Sequence, residues 1–233
     1  MKKFGIYKQM AAALAVVSCM VTVLALAGCG SRSDGSGGTE AYQEYVVGIM
    51  DANYLGQYEK YMEITGSAQA EAERIYEANV QTFALEMAEA LSVKTDVVTK
   101  GVTEQFIVLA GKIYGQVKYQ PVDVVREGDI YTVSLEVEPI DFRETVREPF
   151  QSAVDTFNEQ AKNGDFDGYT DQEYEEAYGQ AVAAALGSNV NEMVYQDKTA
   201  VKVVLDYDKE NNIYFISDEE MEALDNQVVN IAR

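Results

Sequence analysis

The chain has 233 residues, with 39 acidic against 18 basic side chains, two cysteines, no histidine and no tryptophan. Without histidine there is no Ser-His-Asp or Cys-His nucleophilic machinery and no zinc site built from histidine and cysteine. A formal charge of −21 keeps a domain soluble and opposes binding to nucleic acid or to a bare anionic membrane; it permits basic partners or divalent cations, and otherwise describes a solvated acidic surface.

Lys2, Lys3 and Lys8 precede an apolar stretch from Met10 to Leu26, the order of a secretory signal: basic region, apolar region, small residues before a cut. The stretch is also about long enough to span a bilayer, so an uncleaved helix is the alternative. The quartet Leu26-Ala27-Gly28-Cys29 favours cleavage, because it resembles the lipobox of bacterial lipoproteins. That resemblance implies a signal peptide over residues 1–28, a covalent diacylglycerol on Cys29, and a chain held through its lipid on the outer face of the cytoplasmic membrane. Cys19 lies within the apolar stretch and leaves with the leader. Cys29 is then the single remaining cysteine, and an intrachain disulfide is excluded. The leader holds three of the basic residues and none of the acidic ones. The chain from Cys29 onward carries 15 basic against 39 acidic residues, a net −24.

Residues 29–39 are dominated by Gly and Ser and read as a flexible tether. An extracytoplasmic domain is expected over 40–233. From Ala41 to about Ile64 the apolar positions Tyr42, Tyr45, Val46, Ile49, Tyr54, Tyr58, Tyr61 and Met62 predict one amphipathic helix, weakened at Gly48 and Gly56. Thr65-Gly66-Ser67 ends it, and Ser67 is the expected N-cap of a second helix with Tyr76, Val80, Phe83, Met87 and Leu91 on one face. A third helix is expected around Glu104 to Tyr114, with Phe106, Leu109 and Ile113 inward.

The period then falls to two. Tyr131, Val133, Leu135 and Val137 alternate with Thr132, Ser134, Glu136 and Glu138, which predicts a strand with one buried and one wet face. Val117 to Val125 is its partner, Arg126 to Asp129 the turn, and Pro121 marks an edge or a bulge. Val146, Phe150, Val154, Phe157 and Ala161 form the next helical stripe, with Pro149 as its expected regular start. Thr170 and Glu173 form a capping box for a helix bearing Tyr174, Tyr178, Val182 and Leu186, with Gly187 as the expected stop. Val201, Val203, Leu205 and Tyr207 give a strand, Asp208 to Asn212 a turn, and Ile213 to Ile216 the return. Ser217 and Glu220 form a second capping box, opening a last helix with Met221, Leu224, Val228 and Ile231.

Val122 to Val125 with Ile130 to Ser134 matches Val201 to Val204 with Ile213 to Ser217. Two helix-plus-hairpin units, 40–140 and 141–233, are one reading of this likeness; the other is that good strand formers make any two hairpins alike. Either way the class is α+β, an antiparallel sheet of about four strands in two hairpins, covered by amphipathic helices.

Four sets of residues are candidates for chemistry or binding. Tyr42, Tyr45, Tyr58 and Tyr61 have the spacing of a tyrosine-lined groove, and equally of a helix packing on a sheet. Asn163 to Asp171 matches the first half of an EF-hand loop, but Tyr174 stands where a bidentate glutamate belongs and Thr170 is better used as an N-cap. No metal is expected there, nor at the hairpin tip Asp206 to Asn212. Glu136 and Glu138 project from one strand face about 7 Å apart, the separation of an acid/base pair and of any exposed strand.

The run Tyr45-Val-Val-Gly-Ile-Met-Asp-Ala-Asn-Tyr-Leu-Gly, then Tyr61-Met-Glu-Ile-Thr-Gly, with the two hairpins and the Ser217-Asp-Glu-Glu helix start, resembles an uncharacterised family of lipobox-containing lipoproteins of Gram-positive, clostridia-type bacteria. That resemblance implies location and general shape and brings no activity. The sequence reading is therefore a lipid-anchored, non-enzymatic module that binds a protein or small molecule or supports an envelope assembly, with no cofactor besides its lipid. The alternatives are a small carboxylate-dependent envelope hydrolase and a substrate-capture lipoprotein of a transporter.

Overall fold

Alternating apolar residues make the central strand. Tyr131, Val133, Leu135 and Val137 of β2 (Ile130–Glu138) are all buried, while Thr132, Ser134, Glu136 and Glu138 stay half-buried on the opposite face. The computed structural model describes residues 38–210 and 213–231; Leu26, Ala27, Gly28 and Cys29, and nearly all of the tether, lie outside them. β2 pairs antiparallel with β1 (Lys118–Glu127) on one side and β4 (Thr199–Asp208) on the other, and β5 (Ile213–Phe215) pairs with the far edge of β4, giving the order β1-β2-β4-β5. The expected α+β class with two antiparallel hairpins in one sheet is the observed one. Pro121 sits where expected: β1 is an edge strand, and its register slips between Pro121 and Asp123.

The same sheet face carries Val201, Val203 and Leu205 of β4, opposite Leu135, Val133 and Tyr131. Against it lie α1 (Glu40–Met50) and, from the other end of the chain, α7 (Asp218–Val228). Beyond them α3 (Gln69–Ala90), α4 (Lys100–Tyr114), α6 (Asp171–Asn189) and α5 (Phe142–Asn163) pack side by side in that order. A short parallel pair, β3 (Ile140–Asp141) with β6 (Val229–Asn230), ties the start of α5 to the end of α7.

Several helix limits differ from the sequence expectation. The first helix is not continuous: α1 passes into a π-helical turn at Asp51–Leu55, and a separate α2 (Glu59–Thr65) follows. Ser67 does not cap α3, because its hydroxyl and its N–H are both engaged by the Thr65 hydroxyl; Ala68, in extended backbone, takes the N-cap position. α4 starts a turn before Glu104, where the Glu176 carboxylate of α6 accepts from both the N–H and the hydroxyl of Thr99 at 2.7 and 2.6 Å. α5 starts well before Pro149. Asp141 accepts from Glu144 N–H as its N-cap, and burial of Phe142 and Val146 outweighs the ladder bond that Pro149 removes. Gly187 does not stop α6, since Leu186 and Val190 on either side are both buried and carry the helix on to Asn189.

The two expected capping boxes behave differently. Thr170 and Glu173 make the reciprocal pair. We expect Thr170→Ala to lower stability by about 1 kcal/mol in urea unfolding, with the folded-state spectrum unchanged. Ser217 accepts from Glu220 N–H, but the Glu220 carboxylate turns to Val204 N–H at 3.4 Å. β5 reaches only Asp206 to Asp208, so the edge of β4 beyond it is left for that carboxylate.

Candidate functional site

The π-helical turn organises the site. One extra residue per turn widens the helix after Met50, and Gly56, at φ 63°, reverses the chain at its end. The turn aims two polar side chains in different directions. Asp51 faces β1 and accepts a hydrogen bond from the Tyr119 hydroxyl. Tyr54, fully buried, donates to the Asp225 carboxylate of α7.

Around the second pair, Tyr114 stacks on Phe83 at 4.5 Å between ring centres and meets Tyr54 edge-on at 5.3 Å. Burial pushes the Asp225 carboxyl up to about 6; the charges of Glu86 and Glu222 add to this, and the Tyr54 hydrogen bond opposes it. Glu86 is raised too, first by burial and then by Glu222 and Glu89. Burial likewise lifts the Tyr54 phenol far above the usual tyrosine range.

Above the first pair lies a groove of about 410 Å³ that straddles the free edge of β1. Val47, Leu55, Val117, Tyr119 and Pro121 form its apolar side, with Asp51 set among them. The polar side comes from the opposite face of the sheet: Lys118, Gln120, Glu136, Glu138 and Lys198. There Lys198 Nζ lies 2.7 Å from Glu136 and 3.7 Å from Glu138; Lys118 reaches Glu138 at 3.7 Å, and the Gln120 amide donates to Glu136 at 2.8 Å. The Glu136 bond, reinforced by both carboxylate charges, holds the Lys198 ammonium above the usual lysine range.

Glu136 and Glu138 are therefore brought together as the sequence suggested, but each is paired with a lysine: Glu136 with Lys198, and Glu138 with Lys198 and Lys118. The four tyrosines have another fate. Tyr45 is buried, Tyr42 stacks on Tyr131 at 3.6 Å, and Tyr58 meets Tyr76 edge-on; none of the four, Tyr61 included, lines the groove. In the Asn163 to Asp171 loop, Gly164 at φ 84° and Asp165 return hydrogen bonds to Ala161 and Gln160, a C-terminal cap of α5. Among the described residues no three acidic side chains converge on a cation-sized site. At the other hairpin tip Asp208 accepts from Glu210 N–H. Asp51, Tyr119, Lys118, Lys198 and Asp225 were not singled out by the sequence.

No family model and no curated sequence matches the chain. A solved structure from Bacillus subtilis, the chain YcdA, described provisionally as a lipoprotein, is similar to it at a TM-score of 0.58 and 12% identity. The likeness covers 82% of this chain and 57% of that one, so the present chain spans little more than half of its neighbour's length. At that identity the likeness concerns the fold.

Proposed function

We propose that the chain is the extracytoplasmic domain of a lipid-anchored protein and that it works as a binding module through the groove beside β1. Anchoring is supported by the Leu26 to Cys29 quartet behind a basic-then-apolar leader, by the Gly/Ser tract after it, and by the description of the Bacillus subtilis neighbour. Among the described residues no helix is long and apolar enough to cross a membrane. The observation that carries the binding reading is the groove itself. It joins an apolar wall to fixed charges of both signs, the make-up of a recognition site. The hydrolase alternative asks for an acid/base pair, and the groove's two strand carboxylates are committed to Lys198 instead.

Replacing Cys29 with serine removes the thiol that takes the diacylglyceryl group. The expected result is a protein without lipid label and with its leader uncleaved, read by metabolic lipid labelling and intact mass. Unchanged labelling in that variant would remove the basis for the anchor.

A further inference from the structure

The free edge of β1 is unequally protected along its length. Its middle is closed: Pro121 has no N–H to offer, the register slips beside it, and Val124 N–H is already taken by the Asp123 carboxylate at 2.8 Å. Its near half, Lys118 to Gln120, has no such device. Among the described strands β1 pairs with β2 alone, and at Lys118 to Gln120 the open edge runs along the groove floor. A strand edge left open where a groove meets it, and closed just beyond, is arranged for a main chain to pair there.

The walls state what that main chain must carry. Side chains of an added strand alternate in direction, so one set meets the apolar wall of Val47, Leu55 and Tyr119, and the other meets the charged face. The groove holds three carboxylates, Asp51, Glu136 and Glu138, against two ammonium groups, Lys118 and Lys198. The chain beyond the leader is strongly acidic as a whole. That balance draws in a basic segment and repels an acidic one, a second copy of this chain included.

Resting on the groove as the binding site, we propose that its occupant is an extended peptide segment of a partner protein, alternating apolar and basic side chains, which adds as a strand to β1 at Lys118–Gln120. The volume admits only a few residues, so the contact is a short one that Pro121 terminates.

The test uses the full lipidated chain in detergent and a panel of pentapeptides that alternate lysine with valine, leucine, phenylalanine or tyrosine. The panel is matched by glutamate versions and by versions N-methylated on the pairing edge. At about 1 mM peptide, at least one lysine peptide is expected to slow amide exchange at Lys118 to Gln120, with glutamate versions at least tenfold weaker. N-methylation is expected to abolish the effect, and E136Q together with E138Q to weaken binding. Binding in the groove that tolerates N-methylation would overturn strand addition and leave the groove as the site. No exchange protection by any lysine peptide, in the groove or along the edge, would overturn both.

Discussion

Gly179→Val is expected to lower the stability of the protein by about 2–4 kcal/mol, although a glycine inside a helix is ordinarily the weaker choice. Gly179 is buried in α6 where that helix crosses α4. A Cβ placed there meets Val102 Cγ1 at 2.8 Å and Val93 Cγ1 at 3.3 Å. Val102 is fully buried, and its branched side chain has no free rotamer into which to withdraw. Even alanine should cost about 1 kcal/mol net, since the strain of accommodating its Cβ outweighs the propensity gain. Gly187 supplies the control on the same helix. Its Cβ would lie 3.7 Å from Leu109 Cδ2, an ordinary contact, so Gly187→Ala should stabilise by about 0.5–1 kcal/mol. Urea unfolding of the three variants decides it. A stable Gly179→Val would mean that α4 and α6 do not approach as closely as the fold requires.

That close crossing also shows what the sequence could and could not convey. Period-two alternation identified β2 and β4 outright, because each strand has one face against helices and one toward water. The helical stripes of α3 and α4 were equally plain, with Val80, Phe83, Met87, Phe106, Leu109 and Ile113 all buried. Some of the misplacements trace to a partner remote in sequence, and others are local, as where Thr65 engages Ser67. Glu176 caps α4, Phe142 and Val146 hold α5 open ahead of Pro149, and Glu220 leaves its own box for the edge of β4. Remoteness in sequence also hid the groove. Asp51, Tyr119 and Lys198 come from a helical turn, an edge strand and the segment before β4, and nothing in their local patterns marks them as neighbours. Glu136 and Glu138 were visible as a pair, but the lysines that pair with them were not.

Asp225→Asn is expected to stabilise the protein near neutral pH and to do nothing in acid. The carboxyl rises from an ordinary 3.8 to about 6 in the folded chain, chiefly through burial. The folded state therefore holds this proton more tightly than the unfolded state. The favourable contribution is complete below about pH 4, and it is lost as pH climbs to about 6 and the carboxylate ionises beside Glu86 and Glu222. Because Asp225 is only partly shielded from water, the cost at neutral pH is put at about 1–2 kcal/mol, below what the full shift would give. Asparagine keeps an oxygen for the Tyr54 hydroxyl and carries no charge, so the gain should appear near pH 7.5 and vanish near pH 4. Tyr54→Phe should act in the opposite sense. It strips the ionised carboxylate of its donor and costs about 1–3 kcal/mol, more at neutral pH than in acid. Denaturant unfolding of both variants at the two pH values separates the outcomes. Equal effects at both would mean that Asp225 does not change its charge within that window, and that the link between the π-helical turn and α7 is one of packing alone.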